Sequence, residues 1–331
     1  MTGTTPEPTA GVPAGNKQAC CPLCGCVEAQ TLFHGTDRLY ATTDKSFCVV
    51  QCKDCKLIRL FPLPTPEELR TYYPESYWHG AAIDTADKLA TKYREFVLRD
   101  HLQFVRRALA ESGETGWVLD FGCGGGLFLQ NLNSGHPVLG LDFSLGAASV
   151  AWRVNRVPAI CADLSRPPLL PESCAAVTMF HVLEHIADPA PYLEAAHCVL
   201  RPNGRLIVQV PNAACWQFLL FGEAWNGVDI PRHLINFRAE HLDRLLAACG
   251  FEVLRHKHFN LRDNPAGLAT TIAPWLDPMS RRIRKVPESP SVKLIKDLLY
   301  LGLVAASLPF TVLEAACRAG STIMVEARKK K

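Results

Sequence analysis

The chain has little excess charge of either sign: 35 Lys and Arg against 32 Asp and Glu leave a formal +3 over 331 residues. A balance that small argues against a nucleic-acid partner, which needs a concentrated basic face. No apolar run of the signal-peptide kind stands at the N-terminus. Met1 to Gln18 is rich in Thr, Pro and Gly, so the expectation is a flexible tail on a cytoplasmic protein. The sixteen uncharged residues Leu298 to Leu313 fall short of the ~20 apolar residues of a spanning helix. A dinucleotide fingerprint is missing too. Counted from Gly122, G-x-G-x-x-G would put its third glycine where Leu127 stands, which disfavours a dehydrogenase. Cysteine is not scarce, but seven of the fourteen crowd before Lys56, a distribution unlike a disulfide scaffold. Cys123, Cys161, Cys174, Cys198, Cys215, Cys249 and Cys317 read as small buried hydrophobes. A hydrophobic content of 48% allows a sizeable core in one large or two modest domains.

The rest of the chain is organised around Trp117 to Leu129. An apolar strand, Trp117 to Phe121, breaks at glycines and turns into a helix carrying Leu127, Phe128 and Leu129. Glycines permit a tight turn with positive φ and let backbone touch a ligand at a helix N-terminus. Val138 to Asp142 is a second apolar strand ending in an acid, and Ala159 to Asp163 a third. An acid about twenty residues beyond the first glycine is placed to accept hydrogen bonds from a ribose. Each acid also has a plain role as a helix cap.

The pattern Asp120-x-Gly122-x-Gly124-x-Gly126 resembles motif I of class I S-adenosylmethionine (SAM) methyltransferases. The resemblance implies that Asp120 and the glycine backbone hold the amino-acid tail of SAM. It places Asp142 at the ribose and Asp163 at the adenine, counts Phe143 and Leu164 among the cofactor-binding residues, and sets His181 beside the methionine part. It also implies a seven-stranded, doubly wound Rossmann-like α/β sheet: strands Ala175 to Phe180, Gly204 to Val210, Phe251 to His256, and a seventh, Thr322 to Ala327, running antiparallel between the fifth and sixth. Arg201 to Gly204 reads as the turn into the fifth strand, and Arg238 to Cys249 as a helix closed by Gly250.

Ahead of that domain, Cys21-Pro22-Leu23-Cys24-Gly25 and Cys52-Lys53-Asp54-Cys55 form two C-x-x-C knuckles separated by a strand-like segment. This is the ligand arrangement of a zinc ribbon, with Cys21, Cys24, Cys52 and Cys55 on a structural Zn²⁺; a reactive dithiol is the alternative. Lys56 stands where a knuckle usually has glycine. Thr65-Pro66-Glu67-Glu68 opens a helix that runs into the aromatic cluster Tyr72 to Trp78. This front end resembles zinc-ribbon-bearing SAM methyltransferases, including deoxysugar C-methyltransferases, in which an aromatic residue from this region closes over the cofactor. Lys88 to Ala110 reads as one amphipathic helix. The boundaries are a tail at 1–18, a ribbon at 19–62, linker and lead-in helices at 63–110, and the SAM-binding domain at 111–331.

The fourth strand delivers Phe180-His181-Val182-Leu183-Glu184-His185-Ile186 to the carboxyl edge of the sheet, where ligands of such folds lie. His185, with an ordinary pKa of about 6.5, is the candidate general base. Glu184 reads as loop support, though Glu184 and His185 are also incomplete ligands for a divalent ion, as in quinone-type O-methyltransferases with a similar L-E-H sequence. In Trp225 to Phe237, His233 or Arg232 reads as a substrate contact, the alternative for either being to hold the loop onto the core. Residues 261–320 are too long for a simple connection and read as a buried helical hairpin over the active site, the apolar run in it being interrupted by Pro309 and Glu314. The alternative is peripheral membrane contact through residues 281–316. The expectation is methyl transfer from SAM to a small molecule such as a sugar nucleotide, polyketide-like or lipid-linked intermediate. The rivals are a quinone-type O-methyltransferase and a non-catalytic SAM- and zinc-binding module.

Overall fold

The computed structural model describes residues 20–74, 77, 88–132 and 134–330. The expected tail, together with Glu75, Ser76 and Trp78, lies outside the described residues. Strands β1 (Ala29–Gly35), β2 (Phe47–Cys52) and β3 (Ile58–Phe61) form an antiparallel meander. Its buried positions, among them Phe47, Val49, Ile58 and Leu60, pack against Tyr72, Trp225 and Leu234. Helix α1 (Pro66–Thr71) starts as its sequence demands: the Thr65 hydroxyl accepts from the Glu68 N–H, and Glu68 reaches back to the Thr65 N–H, a reciprocal cap.

Helix α2 (Lys88–Ser112) buries Leu98, Leu102, Val105 and Leu109, at helical spacing, against the main sheet. There follow β4 (Trp117–Phe121), the short α3 (Leu127–Asn131), β5 (Val138–Asp142), α4 (Leu145–Arg153), β6 (Ala159–Cys161), β7 (Cys174–Phe180) and α5 (Ala190–Val199). The chain continues through β8 (Leu200–Pro211), α6 (Trp216–Phe221), the two-residue β9 (Ile235–Asn236), α7 (Ala239–Ala248) and β10 (Phe251–Lys257). It ends with α8 (Asp263–Ile272), α9 (Pro278–Ile283), α10 (Pro290–Ala316) and β11 (Thr322–Lys329).

Among the described residues the main sheet has seven strands in the order β10-β11-β8-β7-β4-β5-β6. β11 runs antiparallel between β8 and β10, as expected, and β4 to β8 pair in parallel. This is the Rossmann-like sheet of class I SAM methyltransferases, with β4 and β7 side by side at its centre.

The structure corrects five expectations. The third strand stops at Cys161, because the Asp163 carboxylate accepts from the N–H and hydroxyl of Ser165 and turns the chain. Arg201 to Gly204 do not precede the fifth strand but bulge out of it, Leu200 and Arg205 pairing with Cys174 and Ala176. Cys161, Cys198 and Cys317 are exposed, not core residues. Residues 261–320 are not a buried hairpin: α8 packs inward, while α10 leaves a long apolar face exposed. Finally, α10 is one continuous helix through Pro309 and Glu314. The Ser307 and Thr311 hydroxyls bond to the Leu303 and Ser307 carbonyls around the proline, and Glu314 is buried against Gln217.

Candidate active site

The glycine turn between β4 and α3 holds Gly122, Gly124 and Gly126 at φ 70°, 51° and 76°. The three serve different ends. A Cβ on Gly122 would meet Val182 Cγ2 at 2.6 Å, and one on Gly126 would press on Ala151 and Val157 at 3.1 and 3.2 Å. One on Gly124 would meet nothing within 4 Å, so this is where backbone stands open to a ligand.

Two buried acids stand beneath the turn. Asp142 accepts from the Gly124 N–H at 2.9 Å and from the Ser144 N–H at 2.8 Å, so it both shapes the turn and starts α4. Asp120 accepts from the Thr178 hydroxyl at 2.6 Å on neighbouring β7. Burial, opposed by that hydrogen bond and reinforced by the charge on Asp142, pushes its carboxyl up to about 7. Further along the edge Phe143 is exposed, as is Asp163, while Leu164 is buried. Asp120, Asp142 and the open Gly124 thus stand together at this edge of the sheet.

His181 leaves β7 in the left-handed region, φ 56°, a conformation that non-glycine residues adopt mainly where surroundings impose it. Here they do. Its Nδ1 lies 3.1 Å from Glu184 Oε1, and its Nε2 3.5 Å from Asp263 Oδ2 at the start of α8. Gln209 bridges the same group, donating to Asp263 at 2.6 Å. Burial depresses the His181 pKa, but the hydrogen bonds to Asp263 and Glu184 outweigh it and raise it to about 10. His181 thus sits between two carboxylates, with the Gln209 amide nitrogen 2.8 Å from its Nε2.

One turn later, His185 Nδ1 lies 3.0 Å from the Arg232 carbonyl and 2.9 Å from the Tyr73 hydroxyl. A carbonyl only accepts, so Nδ1 carries the proton and Nε2 the lone pair. His233 repeats the arrangement: its Nδ1 donates to the Gly227 carbonyl at 2.7 Å, and its ring stands edge-on to His185 at 4.7 Å. Glu184 completes the group, its Oε2 buried without a hydrogen-bond partner. One ligand atom from each of Glu184, His185 and His233 lies within 4.8 Å of the others. Burial and the neighbouring His233 lower the His185 pKa to about 4.

Of the two roles expected for Arg232, substrate contact and holding the loop, the structure shows the second. Arg232 is wholly buried, with its guanidinium on Asp37 at 2.7 Å and Asp229 at 2.6 Å and over the Tyr40 ring at 4.3 Å. A charge this deep persists only when paired on every side. Asp37 belongs to the N-terminal meander, so Arg232 fastens that module to the loop that presents His233. β9 does the same through backbone, pairing Ile235 and Asn236 with Arg59 and Ile58 to add a fourth strand to the meander. Tyr73, from the aromatic cluster, lies against His185. Sequence reasoning missed Asp37, Gln209 and Asp263, for which no local motif exists, and gave Glu184 only a supporting role.

The four knuckle cysteines converge. Cys21 Sγ is 3.5 Å from Cys55 Sγ and Cys24 Sγ 3.6 Å from Cys52 Sγ, all four sulfurs lying within 4.8 Å of one another. Tetrahedral Zn²⁺ with bonds near 2.3 Å sets sulfurs about 3.8 Å apart, so the set fits such an ion. The Gly25 and Lys56 N–H groups donate to the carbonyls of Cys21 and Cys52. Lys56, at φ 65°, adopts the turn that Gly25 makes at φ 76°. His241 of α7 lies 3.0 Å from the Cys55 carbonyl, a further tie to the main domain.

Sheet order, glycine turn and edge acids together define the class I SAM methyltransferase fold. Residues 93–256, just under half of the chain, match a family model described as a methyltransferase domain. A probable S-adenosylmethionine-dependent methyltransferase of Mycolicibacterium smegmatis is 33% identical over 138 residues, 41% of this chain and 52% of the relative. A ubiquinone biosynthesis O-methyltransferase of Pseudomonas aeruginosa is 27% identical over 130 residues, 37% of this chain and 56% of the relative. The chain thus spans about half the length of these curated relatives. Among solved structures, 1,6-didemethyltoxoflavin-N1-methyltransferase of Burkholderia thailandensis is 19% identical, with a TM-score of 0.44, 88% of this chain and 98% of that one being covered.

Proposed function

We propose that this protein transfers the methyl group of SAM to a small-molecule acceptor and that His185 Nε2 takes the acceptor's proton. The observation that carries this is the fixed tautomer of His185 beside the glycine turn: Nδ1–H is spent on a backbone carbonyl, and Val182, three residues away, packs on Gly122. In the reaction the acceptor's oxygen or carbon bonds to the methyl carbon while the carbon–sulfur bond breaks onto sulfur. The proton passes to Nε2, and the protein's main work is alignment. A base held near pKa 4 in the free protein suits an acceptor with an acidic proton, such as a phenol, an enol or a carbon between carbonyls.

Calorimetric titration with SAM and, separately, NAD(H) is the test. Micromolar SAM binding without NAD(H) binding is the expected result; protein that binds no SAM sinks the reading.

A quinone-type O-methyltransferase is the second reading, and the unpartnered Glu184 Oε2 favours it. Imidazoles whose Nδ1–H groups are tied to carbonyls are oriented as metal ligands usually are. Glu184, His185 and His233 would hold the divalent ion, which when bound supplies a Lewis acid for an acceptor oxygen.

The Cys21, Cys24, Cys52 and Cys55 set is proposed to hold one structural Zn²⁺, since four thiolates leave no open position. Metal analysis of protein purified without chelator should give one zinc per chain, released by a thiol-blocking mercurial. Cys55→Ser should lower both zinc content and melting temperature, and full stability of a zinc-free protein would remove the assignment.

A further inference from the structure

Helix α10 is amphipathic in the wrong sense for water. Its buried residues are Ser307, Thr311 and Glu314, all polar. The inward face is held by hydrogen bonds: Tyr300 to Thr270 at 2.9 Å, Glu314 to Gln217 at 2.8 Å, and Asp297 to Arg281. Leu294, Ile295, Leu298, Leu299, Leu301 and Leu313 lie on the other side, each more than half exposed. Helices of water-soluble domains turn their apolar face to the core, and monomers rarely expose a contiguous apolar strip of this length. The inversion states that the medium outside α10 is apolar.

The charges at its ends say which medium. Residues 281–296 hold six basic side chains against the single acid Glu288, and Glu288 is taken up by Arg281 and Lys296. Lys285 and Lys293 are exposed at that end and Arg318 just past the other. No charged residue stands between Asp297 and Glu314. A second copy of the chain would have to set a cationic end against a cationic end, whether packed parallel or antiparallel. A phospholipid surface with anionic headgroups meets both the apolar strip and its cationic ends. The packed inner face, tied to the domain from Asp297 to Glu314, keeps the helix along the domain's surface, so it lies in the interface and does not cross it.

We propose that the outer face of α10 is the docking surface for an anionic phospholipid bilayer, in which the helix lies parallel to the membrane plane. α8, on which α10 packs, begins at Asp263 beside His181, so a bilayer under α10 is one helix away from the candidate active site. The proposal stands independently of which acceptor is used.

The test is co-sedimentation of the full chain with vesicles of phosphatidylcholine alone and of phosphatidylcholine with phosphatidylglycerol, at low and high salt. Binding is expected to the anionic vesicles and to weaken with salt. The triple change Leu294→Ser, Leu298→Ser, Leu301→Ser should lower the partition coefficient at least tenfold. Lys285→Glu with Lys293→Glu, which touches no buried group, should do the same on anionic vesicles only. SAM affinity, read by calorimetry, should be unchanged in both and so reports folding separately. Absence of vesicle binding by the parent overturns the proposal, as does binding indifferent to both variants. So does resistance of cell-membrane-bound protein to alkaline carbonate extraction, which would mean a spanning helix. A dimer in light scattering that the triple variant converts to monomer would give the face to a second copy instead.

Discussion

Replacing Asp120 by asparagine should stabilise the free protein at pH 8 and cost it SAM. The Asp120 side chain is 4% exposed, and its pKa is held up at about 7, first by burial, with the Thr178 hydrogen bond opposing and the charge on Asp142 adding. The folded state therefore prefers the protonated acid, whereas the unfolded chain ionises near 3.9. Stability from this group is complete below the unfolded value and is lost as pH rises through the folded one. Above pH 7 the parent carries the full penalty, about three pKa units or on the order of 4 kcal/mol as an upper figure. Asparagine keeps an oxygen for Thr178 without the charge. The melting-temperature gap between variant and parent should open between about pH 4 and pH 7 and stay level above that. Cofactor binding should move the other way. An ammonium group on the SAM tail favours ionised Asp120, so parent affinity should rise with pH towards 7, with proton release seen calorimetrically in buffers of different ionisation enthalpy. The variant should lose that slope and bind about ten- to hundredfold more weakly, the worth of one charged hydrogen bond. A gap that does not depend on pH would mean that Asp120 is not desolvated. Unchanged affinity and slope would mean that the tail binds elsewhere.

The conflict at Asp120 between stability and binding was half legible in the sequence. The strand, the three glycines and the following acids are local signals, and the structure places all of them at one edge of the sheet. The knuckles were legible for the same reason, since two residues between cysteines is a spacing that one turn must satisfy. What escaped depends on partners far along the chain. Substrate contact and loop support could not be told apart for Arg232, because nothing near it shows Asp37, 195 positions away, closing on its guanidinium. β9 is two residues long and exists only because β3 is there to pair with it. Asp263 and Gln209 became visible only once the sheet and α8 had gathered them around His181. Composition announced α10 as apolar but gave no direction. Which face turns inward is decided by Gln217 and Thr270, whose side chains offer Glu314 and Tyr300 better partners than water would across a packed interface.

His185→Ala should abolish most turnover while leaving SAM in place. The imidazole touches no cofactor-side acid, and its fixed partners are Tyr73 and the Arg232 carbonyl, so SAM affinity should stay within about threefold. Loss of a positioned base costs about 10²- to 10⁴-fold in rate. The pH profile supplies an independent check. Burial and His233 hold the His185 pKa near 4, so the base is neutral throughout the usual range, and kcat/KM for the acceptor at saturating SAM should begin to fall only as pH approaches 4, well below the 6.5 of an ordinary histidine. His233→Ala removes the neighbour that helps to depress that pKa and should move the acid limb upward. If the three side chains instead serve a divalent ion, chelation should abolish the parent's activity, added Mg²⁺ or Mn²⁺ should restore it, and Glu184→Gln should be as damaging as His185→Ala. A base acting alone predicts indifference to chelator. The two readings part on a single preparation: parent and Glu184→Gln assayed with and without chelator, each checked for SAM binding. Full turnover by His185→Ala would dismiss both and put proton removal on the acceptor itself or on another residue at the same sheet edge.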